Sequence, residues 1–352
     1  MKTGVLLVNL GSPDAPTPAA VRRYLREFLS DPRVVEMPRC LWLPLLHALV
    51  LPLRARRSAA KYALIWGNDA PLREHTQDQA RLLQAELDAR HINARVFAAM
   101  RYGKPAIGKT LDAMQAAGVT RVMLLPLYPQ YAASTTASTL DAVCAWLVRC
   151  RNQPEIHSVR SFCAHPGYIA ALEANVRQHW QTHGAPNDKT RLVLSFHGLP
   201  EKSRALGDPY HDECQKTGYL LARSLQLESG QYRVCFQSRF GRAAWLQPYT
   251  LPTLQQLAQS GIRRVDLICP GFVADCLETL EEIALTAKSG FLTAGGGEFH
   301  YIPALNASPL WIRALADLIL SVPNVLQCDS QNRTPGVESP SLFPNQNSTN
   351  GA

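Results

Sequence analysis

The chain has 352 residues, 46% of them hydrophobic, and 36 lysines and arginines against 28 carboxylates give a formal net charge of +8. That length can bury two ordinary cores or one large one, while no unbroken apolar stretch reaches the roughly 18 residues that a spanning helix requires. The positive charge is dispersed and no nucleic-acid-reading motif accompanies it, so an acidic small molecule or an anionic membrane surface is the expected partner, not nucleic acid.

Met1-Lys2-Thr3 runs directly into an apolar strand over residues 4–10 with no cleavable signal pattern, and a cytoplasmic protein is expected. Residues 41–53 are strongly apolar, carry Trp42 and two prolines, and are followed at once by Arg54, Arg56 and Arg57. Too short to span a bilayer, this segment suits an interfacial position, the wall of an apolar pocket, or a core helix. Further strands are predicted over 94–99, 120–125, 191–196, 232–237, 264–268 and 299–302, each followed by a helical pattern. Strand then helix, repeated, gives parallel sheets covered on both faces.

The two halves echo each other. Arg101-Tyr102-Gly103 matches Arg239-Phe240-Gly241, and residues 118–122 match 261–265. A duplicated doubly wound unit is expected, with its two copies facing each other across a cleft of matching strand ends. The boundary is placed at 149–154, giving domains over 1–150 and 151–324. The last helix, 309–322, should pack back on the body, and 325–352, rich in Ser, Asn, Pro and Gly, reads as a disordered tail.

Three stretches carry candidate chemistry. The aromatic loop 127–131, with Tyr128 and Tyr131, runs into a hydroxyl-rich helix start at Ser134 and Thr135, where free backbone N–H groups suit a carboxylate or phosphate. Arg101 and Arg239, just past strands, are expected to add charge-assisted bonds to carboxylates. His197 stands where an apolar strand breaks at Gly198 and Pro200, which makes it a candidate metal ligand or proton acceptor. The stretch 269–283 should open a helix on which Asp275, Glu278 and Glu282 form an acidic stripe. Such carboxylates also complement a helix dipole in water. The nine cysteines show no CxxC spacing and are expected to be free thiols.

Taken together, LLPLYPQY with its hydroxyl-rich sequel, LSFHGLP, GDPY at 207–210, FQSRFG, PGFVADCLETLEEI and YIPALN resemble the ferrochelatases, bacterial type, over residues 4–320. The resemblance implies two similar Rossmann-like domains around a porphyrin cleft in a chelatase-like α/β fold, with 41–53 as an apolar lip. It implies insertion of ferrous iron into protoporphyrin IX, the last step of protohaem biosynthesis, with peripheral membrane contact. His197 and Glu278 map onto the family's active-site pair. Loss of two pyrrole protons needs an acceptor of neutral-range pKa, and a loosely held cation needs a carboxylate rather than a thiolate cage. Glu282 would pass protons or metal along the stripe, while Tyr128, Tyr131, Ser134, Thr135 and Arg101 would contact substrate.

The chain departs from the family pattern at Cys276, where some members carry a histidine, and at 66–72, which is less rich in glycine and serine. Cluster-bearing members place a cysteine in the loop after YPQY and three near the C-terminus. Here Ala133 and the single Cys328 stand in those regions, so no iron–sulfur cluster is expected. The alternatives are a tetrapyrrole- or metal-binding protein without turnover, and a chelatase for another metal or for coproporphyrin. A monomer is expected.

Overall fold

The computed structural model describes residues 2–241 and 243–322, so the expected tail at 325–352 lies outside the described residues. Two four-stranded parallel sheets form the frame. The first joins β1 (Thr3–Asn9), β2 (Ala94–Met100), β3 (Arg121–Pro126) and β4 (Glu155–Ser158) in the order β2-β1-β3-β4. The second joins β5 (Thr190–His197), β6 (Tyr232–Gln237), β7 (Arg264–Ile268) and β8 (Glu298–Ile302) in the order β6-β5-β7-β8. All seven residues of β1 are buried, which fits a central strand covered on both faces.

The expected duplication is present in the topology, and the pairing register makes it residue-specific. Thr3 pairs with Arg121 as Thr190 pairs with Arg264. Stepping along both central strands puts Leu10 at the position that His197 holds in the second sheet, each followed by a glycine. Gly11 has a φ of +111°, and a Cβ there would lie 1.8 Å from the Tyr102 carbonyl oxygen, so only glycine lets the chain cross that strand end.

β4 corrects the sequence reading. No strand was expected over Glu155–Ser158, yet it closes the first sheet, so that sheet continues past the boundary placed at 149–154. Edge position explains the weak signal: Ile156 is its single apolar side chain and the strand is only partly buried.

The helices α1 (Pro18–Leu29), α2 (Arg39–Leu45), α3 (Leu51–Ile65) and α4 (Pro71–Ala89) lie between β1 and β2. α5 (Ile107–Ala116) and α6 (Ser138–Leu147) flank β3. α7 (Pro166–His183), α8 (Glu201–Ala205), α9 (Tyr210–Ser224), α10 (Thr250–Gln259), α11 (Leu277–Leu280), α12 (Lys288–Thr293) and α13 (Pro309–Leu320) complete the second half. One hydrophobic cluster runs through both sheets, joining Val5, Leu7 and Leu125 to Leu194, Phe236 and Ile268. α13 packs back against α7 and α4 as expected, burying Trp311, Leu315 and Ile319. Each such side chain contributes about 1.5–3 kcal/mol on full burial.

Residues 41–53 form α2, a π-helical turn over Leu46–Val50, and the start of α3. Trp42, Leu46 and Leu51 face the core, whereas Leu41, Leu45, Leu49 and Leu53 form an exposed apolar row at four-residue spacing. No helix of the described residues is long and apolar enough to cross a membrane. The eight described cysteines are free thiols, and five of them are buried.

Candidate active site

The carboxyl ends of β1, β3 and β7 converge on one cleft. In each sheet the chain reverses direction of winding beside the central strand, and crevices at such switch points are where open α/β sheets take ligands. A cavity of about 40 Å³ lies there, lined by Asn9 to Ser12 after β1, Leu127 and Tyr128 after β3, Gly271 to Ala274 and Cys276 to Glu278 after β7, with Tyr24, Tyr62 and Leu72 closing it. Glu278 is the one charged side chain in that lining. The volume suits a few waters or a hydrated ion.

Glu278 sits in the first turn of α11, which follows an extended Cys276 and gives way to a π-helical turn at Glu282. Around its carboxylate are neutral groups. Burial holds the hydroxyls of Tyr24 and Tyr62 well above their ordinary range, and the Glu278 charge adds to both shifts. Burial likewise raises the Cys276 thiol, with Glu278 again contributing, so Cys276 is a neutral S–H and not a thiolate ligand.

His197 ends β5 at the same sheet edge. Its Nδ1 lies 2.7 Å from the carbonyl oxygen of Gly198. A carbonyl can only accept, so Nδ1 carries a proton, and in the neutral imidazole Nε2 keeps its lone pair. Gln237, opposite His197 in register, links the two site residues: its Nε2 donates to the Glu278 carbonyl at 2.8 Å while its Oε1 accepts from Ser195 Oγ at 2.7 Å. His197 does not line the small cavity itself.

The acidic stripe is not one stripe. Asp275 precedes α11 and is buried, accepting from Thr279 Oγ1 at 2.9 Å, Tyr301 hydroxyl at 2.5 Å, Ala304 N–H at 3.3 Å and Asn306 Nδ2 at 2.7 Å. It clamps the loop. Glu282 begins a π-helical turn, and both its oxygens accept from Ser238, from the N–H at 2.7 Å and the hydroxyl at 2.6 Å. The buried Glu281 pairs instead with Lys61 Nζ at 2.7 Å.

The hydroxyl-rich helix start carries the anion its chemistry calls for, but the anion is the protein's own. Asp208 Oδ2, from GDPY, accepts from the Ala133 N–H at 2.7 Å. A carboxylate opposes the positive end of that helix, so Ser134 and Thr135 flank an occupied position. Replacing Asp208 with asparagine keeps the acceptor and removes the charge. The expected cost is about 1 kcal/mol, read from the shift in urea midpoint.

Arg101 is also engaged. It pairs with the buried Asp31 at 2.6 Å and donates from Nε to Ser138 Oγ at 2.7 Å. It lines a neighbouring open groove of about 870 Å³ with Arg23, Arg26, Arg39, His47 and Lys104. Tyr131 lies under the Arg160 guanidinium, 4.2 Å from its carbon, and its N–H donates to Glu213 at 2.8 Å. Arg239 lies over Tyr249 at 5.0 Å. Tyr128 lines the cavity, and its hydroxyl is buried beside Thr139.

Sequence reasoning missed Tyr24, Tyr62 and Gln237. Both tyrosines occupy the apolar faces of α1 and α3, where spacing alone does not separate a core tyrosine from a site tyrosine.

The profile of the family described as Ferrochelatase matches residues 2–322. A protein named Ferrochelatase from Dechloromonas aromatica (strain RCB) is 58% identical over 317 residues, covering 90% of this chain and 86% of that one. Its counterpart from Azoarcus sp. (strain BH72), of the same name, is 58% identical over 315 residues, 89% of this chain and 86% of the relative. Among solved structures, SirB from Bacillus subtilis with Fe3+ superposes with a TM-score of 0.51 at 14% identity, covering 90% of this chain and 94% of SirB, which shows a shared fold.

Proposed function

The chain belongs to the ferrochelatase family and inserts ferrous iron into a porphyrin in haem biosynthesis, and from that premise we propose that His197 and Glu278 are the pair at which the ion meets the ring. The observation that carries this reading is the lone pair left on His197 Nε2, at a strand end beside a cleft whose one charged lining group is Glu278.

Insertion exchanges one divalent cation for two pyrrole protons. A neutral imidazole accepts one of them, and Glu278 holds the cation weakly enough to release it, then takes the other. Glu282, held by Ser238 one turn beyond, passes protons outward. The ring stacks beside Tyr128, which lines the cleft. Arg101, Tyr131 and Thr135 are held by protein partners and support the wall behind it, with Ser134 beside them, rather than offering free groups to the propionates. Because the cavity is about 40 Å³, the macrocycle requires the cleft to widen around Tyr24, Tyr62 and Leu72, which close it.

The substrate in this reading is protoporphyrin IX and the chain works as a cytoplasmic monomer of two domains, the first extending through β4 to Ser158 and the second following it, without an iron–sulfur cluster. Ala133 in the loop after YPQY supports the last point; Cys328 lies outside the described residues. Anaerobic incubation with ferrous iron and protoporphyrin IX, with coproporphyrin in parallel, tests it through the absorbance change from free base to metalloporphyrin. Ring binding without insertion under conditions where a control enzyme turns over would overturn it in favour of a tetrapyrrole carrier.

The exposed row Leu41, Leu45, Leu49 and Leu53, followed by Arg54, Arg56 and Arg57, supports peripheral contact with an anionic membrane face. Co-sedimentation with vesicles containing anionic lipid should fall when Leu49 and Leu53 are both changed to aspartate. Sedimentation unchanged by the double substitution would sink the lip as the contact.

A further inference from the structure

A second cluster of metal-ligating side chains lies away from the cleft. Among the described residues one group of three such side chains stands together: His179, His183 and His300, with a ring nitrogen of each within 4.8 Å of the others. The first two are four residues apart on the last turns of α7, and the third comes from the edge strand β8. Their rings are close, with centroids 4.2 Å apart for His179 and His183, 4.7 Å for His183 and His300, and 5.3 Å for His179 and His300.

Two features beyond proximity favour a cation here. Asp266, fully buried and opposite His300 in register, stands 3.4 Å from His179 Nε2 and fixes that ring, as outer carboxylates do at imidazole metal sites. The Asp266 charge is already balanced by Arg264, which donates to both its oxygens at 2.9 and 3.0 Å, so it does not require a protonated His179. The cluster also sits at the carboxyl end of α7, where the helix dipole is negative and attracts positive charge.

We propose that His179, His183 and His300 bind one divalent transition cation of the zinc, cobalt or nickel class, separate from the iron-inserting cleft, with water completing its coordination. Three borderline nitrogen donors suit these ions better than magnesium or calcium. His183 presents Nε2, since its Nδ1 lies 3.1 Å from its own helix carbonyl at His179. Arg264, which begins β7, donates to the carbonyls of His183 and Gly184 at the end of α7, so the site lies toward the amino ends of β7 and β8, away from the carboxyl end of β5 where His197 stands. The ion would tie α7 to an edge strand.

The test uses tag-free full-length protein carrying His197→Ala and Glu278→Gln, so that the cleft is disabled as a competing site. Cobalt is titrated by its visible d–d absorption, and zinc by competition with a chromophoric chelator. One ion per chain is expected, with affinity falling at least about ten-fold on adding His183→Gln, because loss of an outer partner alone costs 10–100-fold. His183 is exposed, so this change does not threaten folding. In the otherwise wild-type chain His183→Gln should reduce the ions bound by one while leaving iron insertion unchanged, which separates this site from the catalytic assignment. No binding in the double variant, or binding indifferent to both His183→Gln and His300→Gln, overturns the proposal and leaves the cluster as stacked, solvated imidazoles.

Discussion

His197→Ala is expected to lower kcat for iron insertion by about 10²–10⁴-fold while porphyrin still binds, because the imidazole removed is the one whose free Nε2 can take a pyrrole proton. The residue ends a strand and donates only to its neighbour's carbonyl, so its loss removes little that holds the fold together. Glu278→Gln should act differently. It preserves shape in the cavity but removes the one charge lining it, so the KM for iron should rise alongside any fall in kcat. Stopped-flow insertion, with porphyrin binding followed separately by fluorescence quenching, distinguishes the two. An alanine variant with wild-type kcat would take His197 out of the mechanism.

Asp31→Ala is expected to cost about 3–5 kcal/mol of stability, a large share of the total for an ordinary domain. Its carboxylate is buried beneath Arg101 and also accepts from Ser138 Oγ at 2.6 Å, Tyr102 hydroxyl at 2.8 Å and the Arg33 N–H at 2.7 Å. Removing it strands the Arg101 guanidinium and several donors at once. Burial pushes the Asp31 carboxyl up, but the bonds from Ser138, Tyr102 and Arg33 and the Arg101 charge together hold it below its ordinary value. With the folded-state pKa depressed, the stabilisation is complete above the unfolded carboxylate range and is lost as pH falls through the folded value, beginning below about pH 5. Denaturant midpoints should therefore show a shallower acid decline in Asp31→Asn than in the parent chain. Parallel declines would remove Asp31 from the acid response.

The same residues mark where sequence reading succeeds and stops. Seven strands were legible because each is a short apolar run closed by Gly, Pro or a polar turn, and the duplication was legible in matched tripeptides after equivalent strands. Glu155–Ser158 lacks that apolar signal because it closes a sheet edge. His197 and Glu278 stood out by residue type at a strand end and helix start, which is local information. The partners of Arg101, Asp275 and the 133–137 helix start are not local: Asp31, Tyr301 with Asn306, and Asp208 lie tens of residues away. An arginine or a capping position looks free for a ligand until the fold supplies its counter-charge. The two histidines of α7 were visible at helical spacing, but the third comes from a strand more than a hundred residues later.

The register that sets Leu10 opposite His197 in the two copies gives the cleft a handedness of chemistry. Where the second half ends its central strand in an imidazole, the first ends in an alkyl group, and where the second follows with carboxylates at Glu278 and Glu282, the first follows with the hydroxyls of residues 134–139. Twin scaffolds could have offered a flat macrocycle two equal addresses for a cation. On the proposed assignment one jaw is the reactant and the other a backing plate, so a planar guest held between them would be approached by the ion from a single face.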